Sequence, residues 1–303
     1  MLALVLPLVL VVAGLAWANW KFSQIERVDV GSVLDAGGGG GTNYLIVGSD
    51  SREGIDTGDP NAGAIIGEGA PGGQRSDTIM VLRVDGGDAK MLSIPRDLFV
   101  TVAGTGAESR INTAYNEGPA TLIRTVQENL DIPVHRYVEV DFVTFAGLVD
   151  AVGGVTIDFP NPAFDEGSGL AVEQSGPVEL DGAQALAYVR SRQYTEVIGG
   201  ERVVDPTGDL GRVLRQQQFL RAVLGKAGGS RNPITLMRVA SAVAGGIRID
   251  DEMGLLDALG LAWRMGSLDP ESLPLPTVPF RSGGAAVLGL DDGAAPAVLD
   301  QFR

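Results

Sequence analysis

Short apolar runs separated by glycine-rich breaks mark the first half of the chain. The run 43–48 predicts a buried strand, and the mainly apolar runs 78–84 and 89–94 predict two more. The sequence Asp85-Gly86-Gly87-Asp88 between the last two runs is typical of a tight hairpin turn. We therefore expect this part of the chain to form neighbouring strands of one sheet.

Apolar residues repeat with helical spacing further along the chain. The positions that carry this spacing are Leu122, Ile123, Val126 and Leu130 in one helix, and Phe142, Phe145, Leu148, Val149 and Val152 in the next. Short strands are predicted at 137–140 and 155–159, and two further helices at 234–243 and 252–265. Because strands alternate with helices, we predict an α/β fold: a single domain with a central mixed β-sheet covered by helices on both faces, in three α/β/α layers.

Two acidic residues are expected to begin helices in the second half of the chain. Asp181 suits the capping position of one helix, while Asp205 and Pro206 suit the cap and first position of the next. Three-and-four spacing places several residues on one face of that later helix. They are Arg212, Arg215, Gln216 and Phe219. The polar members of this face are expected to point at a ligand.

Composition divides the chain into three parts. Residues 1–20 contain no charged side chain, and about 20 apolar residues are enough to cross a bilayer as a helix. Residues 21–41 are polar and end in five glycines, which predicts a flexible stalk. Residues 42–303 show no further break in composition and are expected to form one folded domain.

The apolar start has two interpretations. Trp17 and Trp20 suit a membrane interface, which favours a transmembrane anchor. Ala16-Trp17-Ala18 has the small-x-small form of a cleavage site, which would instead indicate a signal peptide. Lys21 is the first cation of the sequence, so the positive-inside rule does not orient the segment. Both interpretations place the folded domain outside the cytoplasm.

Charge and composition narrow the classes of function. The net charge of −15 would repel a nucleic acid backbone, which argues against a nucleic-acid-binding protein. The chain has no cysteine, so disulfides, thiol catalysis and cysteine-ligated metals are excluded. Apolar residues make up 45% of the chain, enough for a sizeable core.

Arginine carries most of the positive charge, with 20 arginines against 3 lysines, and many arginines lie beside aspartates. The strings are Gly48-Ser49-Asp50-Ser51-Arg52, Arg75-Ser76-Asp77-Thr78, Ile94-Pro95-Arg96-Asp97, Tyr188-Val189-Arg190-Ser191-Arg192 and Asp209-Leu210-Gly211-Arg212-Val213-Leu214-Arg215-Gln216-Gln217. Guanidinium groups bind phosphate oxygens in pairs, and carboxylates at phosphate sites hold divalent cations. The strings therefore suggest a pyrophosphate site. GC-rich coding and ordinary surface ion pairs are the alternative source of such arginines.

Simpler roles also exist for the individual acidic and histidine side chains. Asp50 and Asp77 could form turns or caps. Asp97 could act as a general base for an attacking hydroxyl, or it could orient Arg96. His135 is the only histidine, and its position near a strand start favours a structural role.

The ordered series of five strings resembles the LytR-CpsA-Psr family of bacterial cell-wall proteins. Two further strings between them, Tyr137-Val138-Glu139-Val140-Asp141-Phe142 and Asp150-Ala151-Val152-Gly153-Gly154-Val155, fit the same family. The resemblance covers the chain from Asn43 to the C terminus. The loop between Asp50 and Asp77 is longer and richer in glycine than is usual for the family.

The resemblance implies a Mg²⁺-dependent phosphotransferase that moves a glycopolymer phosphate from a polyprenyl pyrophosphate carrier onto peptidoglycan. It implies a single-pass protein of the cytoplasmic membrane whose catalytic domain, 42–303, lies outside the cytoplasm, with the lipid tail in an apolar tunnel between sheet and helices. By the same resemblance Asp50 and Asp77 hold the metal. Arg96 and Arg190 are the expected catalytic residues, to which the residue-level interpretation adds Asp97 as the candidate base. The implied pyrophosphate ligands are Arg75, Arg96, Arg190, Arg192, Arg212 and Gln216, to which the helix spacing adds Arg215.

Two other classes of function remain open from the sequence. With water as the acceptor, the same residues would make a polyprenyl pyrophosphate hydrolase. Without turnover, they would make a lipid-binding regulator of the cell envelope.

Overall fold

A seven-stranded mixed sheet forms the centre of the computed structural model, which describes residues 14, 16–37, 40–49, 76–229, 233–243, 246–265 and 270–303. Its strands are β1 (Glu26–Val28), β2 (Thr42–Ser49), β3 (Ser76–Asp85), β4 (Asp88–Ile94), β7 (Arg136–Asp141), β14 (Ile247–Asp250) and β15 (Glu271–Pro274), in the order β1-β14-β7-β2-β3-β4-β15. Three neighbouring pairs, β1 with β14, β7 with β2, and β4 with β15, are parallel. The predicted central mixed sheet is confirmed.

Helices surround this sheet and connect its strands. They are α1 (Asn112–Asn116), α2 (Pro119–Leu130), α3 (Phe142–Ala151), α4 (Gly182–Arg190), α5 (Asp209–Gly229), α6 (Pro233–Val243), α7 (Leu255–Met265) and α8 (Ala295–Leu299). Asp181 caps α4 as predicted, since its side chain accepts the Gln184 N–H at 2.8 Å. The predicted start at Asp205 was wrong, because α5 begins at Asp209.

Both faces of the sheet are covered by helices, as the sequence predicted. Leu45 and Val47 of β2 share a buried cluster with Leu122 and Val126 of α2. Tyr44, whose side chain alternates to the other face, belongs to a second cluster that includes partly buried residues of α7. A strand buried on both faces reads as a continuous apolar run rather than an alternating one.

A third core lies between α3, α4 and α5 and several short strands. The strands outside the central sheet are β5 (Phe99–Thr101), β6 (Glu108–Arg110), β8 (Val155–Phe159), β9 (Ala163–Asp165), β10 (Leu170–Val172), β11 (Gly176–Leu180), β12 (Thr195–Ile198), β13 (Glu201–Val204), β16 (Thr277–Ser282) and β17 (Ala285–Leu290). They pair as β10-β9-β12-β13, β11-β8, β16-β17 and β5-β6. The strands β9 and β12 lie on either side of α4 in the chain and frame the end of that helix.

The described part of the segment 21–41 packs against the domain over residues 26–33, where the sequence predicted a flexible stalk. Its β1 pairs with β14, and Val30 is only 1% exposed within the first core cluster. A three-residue strand among polar neighbours leaves no periodic signal, so the contacts with β14 decide its conformation. Within the residues that the structure describes, no helix is long and apolar enough to cross a membrane. Most of 1–20 lies outside those residues, and the anchor stays a prediction.

Gly182 gives a testable measure of how tightly α4 is seated against α3. A Cβ at this position would lie 2.3 Å from the backbone oxygen of Ala146, which cannot move aside without moving α3. We therefore expect Gly182→Ala to lower the free energy of unfolding by about 1–3 kcal/mol, the usual cost of overpacking. Urea denaturation followed by circular dichroism measures this change.

Gly147 of α3 provides the matched control, since a Cβ there meets no atom within 4 Å. Gly147→Ala is expected to raise the free energy of unfolding by up to about 1 kcal/mol, because alanine favours the helix. Equal midpoints for the two variants would contradict the close approach of the helices.

Candidate functional site

Four strand ends meet at one edge of the central sheet. Ser49, the last residue of β2, pairs with Ser76 at the start of β3 and with Asp141 at the end of β7. Ile79 of β3 pairs with Ile94, the last residue of β4. The backbone of Asp77 therefore lies at the edge where Pro95 and Arg96 leave the sheet. Asp50 and Arg75, two of the predicted site residues, lie outside the described residues.

Arg96 follows this edge and is held near a second arginine through Asp97. The Arg96 Nε lies 3.7 Å from Asp97 Oδ2, while the Arg110 Nε lies 3.3 Å from Asp97 Oδ1. The backbone carbonyl of Arg96 accepts the Asn112 N–H at 3.3 Å. A carboxylate between two guanidinium groups is well placed to orient them, which favours the orienting role for Asp97. Arg110 was missed from sequence because it stands in none of the five strings.

The end of α4 supplies the next two predicted residues, Arg190 and Arg192. Arg190 is partly buried, Arg192 is exposed, and Ser191 between them is fully buried. The Ser191 hydroxyl donates to Asp165 Oδ2 at 2.6 Å, and the Gln193 N–H donates to the same oxygen at 2.9 Å. The backbone on both sides of Arg192 is thus fixed by one buried carboxylate.

Asp165 is charged in this setting. Burial acts to raise the pKa of its carboxyl group, but hydrogen bonds from the Ser191 hydroxyl and from the N–H groups of Gln193, Gly167 and Ser168 outweigh burial and lower the pKa. Sequence reasoning missed Asp165, because a lone aspartate before a glycine turn carries no signal of a partner 26 residues away.

Three successive side chains of α5 join the separate strings. Arg215 Nη2 donates to the Ser191 carbonyl at 2.9 Å, and Gln216 Nε2 donates to the Val189 carbonyl at 3.3 Å. Gln217 Nε2 donates to Ser93 Oγ at 2.6 Å. Ser93 lies on β4, two residues before Pro95. The helix α5 therefore connects the end of β4 with the end of α4. The structure thereby brings the Arg96, Arg190 and α5 strings together.

Arg215 contacts other residues of the protein, whereas the sequence predicted that it binds pyrophosphate. Its Nη1 lies 2.8 Å from Asp205 Oδ2, and its guanidinium carbon lies 4.4 Å above the Tyr194 ring. The residue is 6% exposed, and both terminal nitrogens donate to acceptors of the protein. The three-and-four spacing correctly predicts that these residues lie on one helix, α5, but it does not indicate that Arg215 is buried. Arg212 on the same helix is 3% exposed.

A buried acid beneath the strand ends ties α1 to the sheet. Glu139 of β7 accepts the Tyr115 hydroxyl at 2.7 Å and the Tyr137 hydroxyl at 2.8 Å, and it pairs with Arg248 Nη1 at 3.1 Å. Burial, reinforced by the Glu139 carboxylate, raises the pKa of Tyr115, so this tyrosine stays a hydrogen-bond donor. These contacts hold the segment that follows Arg96 and Arg110 against the sheet.

His135 has the structural role that the sequence favoured. Its Nδ1 accepts the Asn43 N–H at 3.0 Å next to β2. Burial lowers the pKa of the imidazole, which keeps Nδ1 free to accept. A serine–histidine–aspartate relay is therefore not built around this side chain.

A cleft of about 410 Å³ lies between β10, β11 and the start of α4. It is lined by Ala171, Val172, Glu173, Gln174, Val178 and Gln184. None of the predicted site residues is in this lining, and Gln184 lies at the opposite end of α4 from Arg190. The cleft does not coincide with the apolar tunnel that the resemblance implied, and the tunnel stays a prediction.

Known proteins match the chain over most of its length. LcpB of Corynebacterium glutamicum, named as a cell wall biosynthesis protein, is 35% identical over 99% of this chain and 69% of its own length. TagU of Halalkalibacterium halodurans is 34% identical over 77% of this chain and 68% of its own length, and TagV of Bacillus subtilis is 36% identical over 55% and 42%. TagU and TagV are both named polyisoprenyl-teichoic acid–peptidoglycan teichoic acid transferases.

Solved structures agree with these relatives. The LytR-Csp2A-Psr enzyme from Actinomyces oris superposes with a TM-score of 0.72 at 27% identity, over 92% of this chain and 96% of that one. TagV from B. subtilis superposes with a TM-score of 0.65 at 25% identity, over 88% and 97%. The LytR_cpsA_psr family itself matches residues 21–289. The family match over residues 21–289, the relatives and the shared fold show together that the chain belongs to the LytR-CpsA-Psr family.

Proposed function

We propose that this protein transfers a glycopolymer phosphate from a polyprenyl pyrophosphate carrier to peptidoglycan, with Mg²⁺, on the outer face of the cytoplasmic membrane. The chain is a transferase of the LytR-CpsA-Psr type. The names of TagU and TagV specify a polyisoprenyl-linked teichoic acid as donor and peptidoglycan as acceptor for those proteins. The proposal carries over the class of donor and acceptor, and leaves the glycopolymer open.

One observation of the structure carries the proposal. Consecutive side chains of α5 bond to Val189 and Ser191 at the end of α4 and to Ser93 at the end of β4. They link the chain segments that carry Arg96 and Arg190, which are far apart in sequence, and β4 ends at the same edge of the sheet at which β3 begins with Ser76 and Asp77. Guanidinium groups on segments that α5 links in this way would suit a diphosphate, whose oxygens they would bind in pairs.

The residues of this chain would act mainly by position and charge. In the proposed reaction an acceptor hydroxyl forms a bond to the phosphorus next to the glycan, and the bond from that phosphorus to the bridging oxygen breaks. Polyprenyl phosphate leaves with the bridging oxygen, and the hydroxyl proton is lost to a base. Arg96 and Arg190 are assigned to the developing phosphate charge, because little covalent work is left for the protein in phosphoryl transfer.

The proposed metal site fits the residues at the edge of the sheet. Mg²⁺ requires only one or two carboxylates, since water and substrate oxygens complete its shell. Asp50 directly follows Ser49 and Asp77 directly follows Ser76, and those two serines are paired across β2 and β3. Among the residues described above, no group of three or more histidine and carboxylate side chains forms a full protein cage. When bound, the ion would neutralise the part of the phosphate charge that the arginines do not compensate.

A product assay on the full-length chain tests this function. We expect transfer of label from a polyprenyl pyrophosphate-linked glycan to peptidoglycan fragments, with release of polyprenyl phosphate, in the presence of Mg²⁺. Mass spectrometry of the purified protein is expected to identify a copurifying polyprenyl phosphate or pyrophosphate lipid. Release of glycan phosphate at an equal rate without peptidoglycan would instead indicate the hydrolase, and tight binding without any turnover would indicate the regulator.

A further inference from the structure

We propose that Asp165 and Arg215 are positioning residues that hold Ser191 from two sides and thereby aim Arg190 and Arg192 at the diphosphate. This inference rests on the proposed function. It assigns Arg215 to the support of the site, in place of direct contact with the substrate, and gives Asp165 a role that no motif predicts.

Asp165 holds the side chain of Ser191. Asp165 is 4% exposed, and its two oxygens accept hydrogen bonds from the Ser191 hydroxyl and from backbone N–H groups. One Oδ1 bond, from Gly167 N–H at 2.9 Å, fixes the carboxylate in the β9 turn. The other oxygen, Oδ2, reaches Ser191 and Gln193, which are the residues on either side of Arg192.

Arg215 holds the backbone of Ser191. Its Nη2 donates to the Ser191 carbonyl, while Nη1 is anchored on Asp205 and the flat face lies on Tyr194. An arginine fixed at both terminal nitrogens and stacked on a ring has little freedom left, which makes it a rigid support. The carbonyl that it binds belongs to the residue between the two proposed phosphate ligands.

The backbone of Gly211 packs closely against the contact between Asp205 and Arg215. A Cβ at Gly211 would lie 2.2 Å from Asp205 Oδ2 and 2.3 Å from Thr207 Oγ1, and 3.1 Å from Arg215 Nη1. Asp205 and Thr207 have short side chains that cannot bend away as a lysine end could. Any side chain at 211 would therefore push the Asp205 anchor off Arg215.

The contact geometry explains why a fixed Ser191 matters for binding. The helix α4 ends at Arg190, and the Ser191 N–H keeps only a long bond of 3.4 Å to the Tyr188 carbonyl, so the chain loses helical support from this point on. Two flexible guanidinium chains that leave from an unfixed segment would lose conformational freedom when they bind a ligand. Fixing the residue between them removes part of that cost before the ligand arrives.

Binding of farnesyl diphosphate by the full-length chain, measured by calorimetry with Mg²⁺, tests the support. Asp165→Asn replaces one acceptor oxygen of the carboxylate with an NH2 donor that faces other donors, and we expect it to raise the Kd about tenfold. Arg215→Lys keeps the charge, but a single ammonium group cannot replace the two guanidinium nitrogens that bind Asp205 and the Ser191 carbonyl. We expect a similar rise in the Kd. Ser191→Ala removes one hydroxyl only, and serves if the other variants fold poorly, with an expected rise of about threefold.

Exposed residues of the same types provide the matched controls. Asp158→Asn on β8 and Arg124→Lys on α2 change exposed side chains outside the site, and the Kd is expected to stay within twofold of the wild type. Melting temperatures are recorded for all variants. The proposal would be overturned if the rise in Kd were proportional to the fall in melting temperature, with the same proportion in the control variants and in the site variants.

A double-variant comparison separates positioning from general stability. If Asp165 acts through Arg192, Asp165→Asn should raise the Kd by a smaller factor in an Arg192→Ala background than in the wild type. Its effect on melting temperature should be the same in both. An equal factor in both backgrounds, or wild-type affinity in Asp165→Asn and Arg215→Lys, would overturn the positioning role alone. A wild-type chain that does not bind farnesyl diphosphate would overturn the proposed function as well.

Discussion

Arg96→Ala is expected to lower the rate of glycopolymer transfer by about 10³-fold or more, with little loss of stability. An arginine that meets the developing charge of a transferred phosphate contributes about 10³–10⁵ to the rate in other phosphoryl-transfer enzymes. Arg96 follows the end of β4 and lies beside Asp97 outside the three apolar core clusters, so its removal takes no side chain out of those clusters. A single-turnover assay with excess enzyme measures the chemical step separately from product release.

Arg124→Ala on α2 is the matched control for this substitution, because Arg124 is an exposed arginine outside the five strings. Its transfer rate and melting temperature should equal those of the wild type. A rate for Arg96→Ala within tenfold of the wild type would contradict the assignment of Arg96 to the reacting phosphate. Loss of the rate together with the folded state would attribute the effect to structure instead.

The central strands were predictable because burial on both faces leaves a strong local signal. The predicted runs 43–48, 78–84 and 89–94 lie inside β2, β3 and β4, and the Gly86-Gly87 turn joins the last two strands where the sequence placed it. Gly86 has a φ of 55°, which glycine adopts at no cost. Here the local pattern and the tertiary environment favour the same conformation.

The edge strand β1 was not predictable from local pattern. Its three residues, Glu26–Val28, include two charged side chains, and only the pairing with β14 about 220 residues away makes them a strand. The hairpin of β12 and β13 was missed for a related reason. All residues of β13 are exposed, so its valines do not alternate between a buried and a solvent face.

The strings of the candidate site are visible in the sequence, but the contacts behind them are not. Arginine next to aspartate is a local pattern, and the structure links the segments next to Arg96 and Arg190 through α5, while the binding role of these residues stays a prediction. Asp165 contacts Ser191 and Gln193, and Gln217 contacts Ser93, and these partners lie far from them in sequence. Such contacts are set by packing of distant elements, and no spacing rule for one helix or strand contains them.

Arg215 shows that helical spacing does not indicate what a side chain contacts. Arg215 shares a face of α5 with Arg212 and Gln216, but its burial next to Tyr194 and Asp205 decides what its guanidinium group contacts. Helical periodicity states which residues share a face. It does not state whether that face meets substrate or the rest of the protein.

Asp77→Asn, and removal of Mg²⁺, are expected to have the other large effect on transfer. Chelation with EDTA should abolish transfer, and added Mg²⁺ should restore it, because metal stabilisation of phosphate charge is worth several kcal/mol. Asp77→Asn replaces one of two proposed carboxylate ligands with a neutral amide. We expect its rate to fall at least about a hundredfold at low Mg²⁺ and to recover in part as Mg²⁺ is raised. The measurement is the transfer rate as a function of Mg²⁺ concentration.

Asp88→Asn tests whether this effect belongs to the edge of the sheet where Asp77 lies near the start of β3. Asp88 is an exposed aspartate at the opposite end of the same hairpin, where it pairs with Asp85 in the register. Its variant should keep the wild-type dependence on Mg²⁺, because no predicted arginine of the site lies at that end. Equal curves for Asp77→Asn and the wild type would show that Asp77 is not a metal ligand. Full activity in EDTA would remove the metal from the proposal and leave the arginines as the source of charge stabilisation.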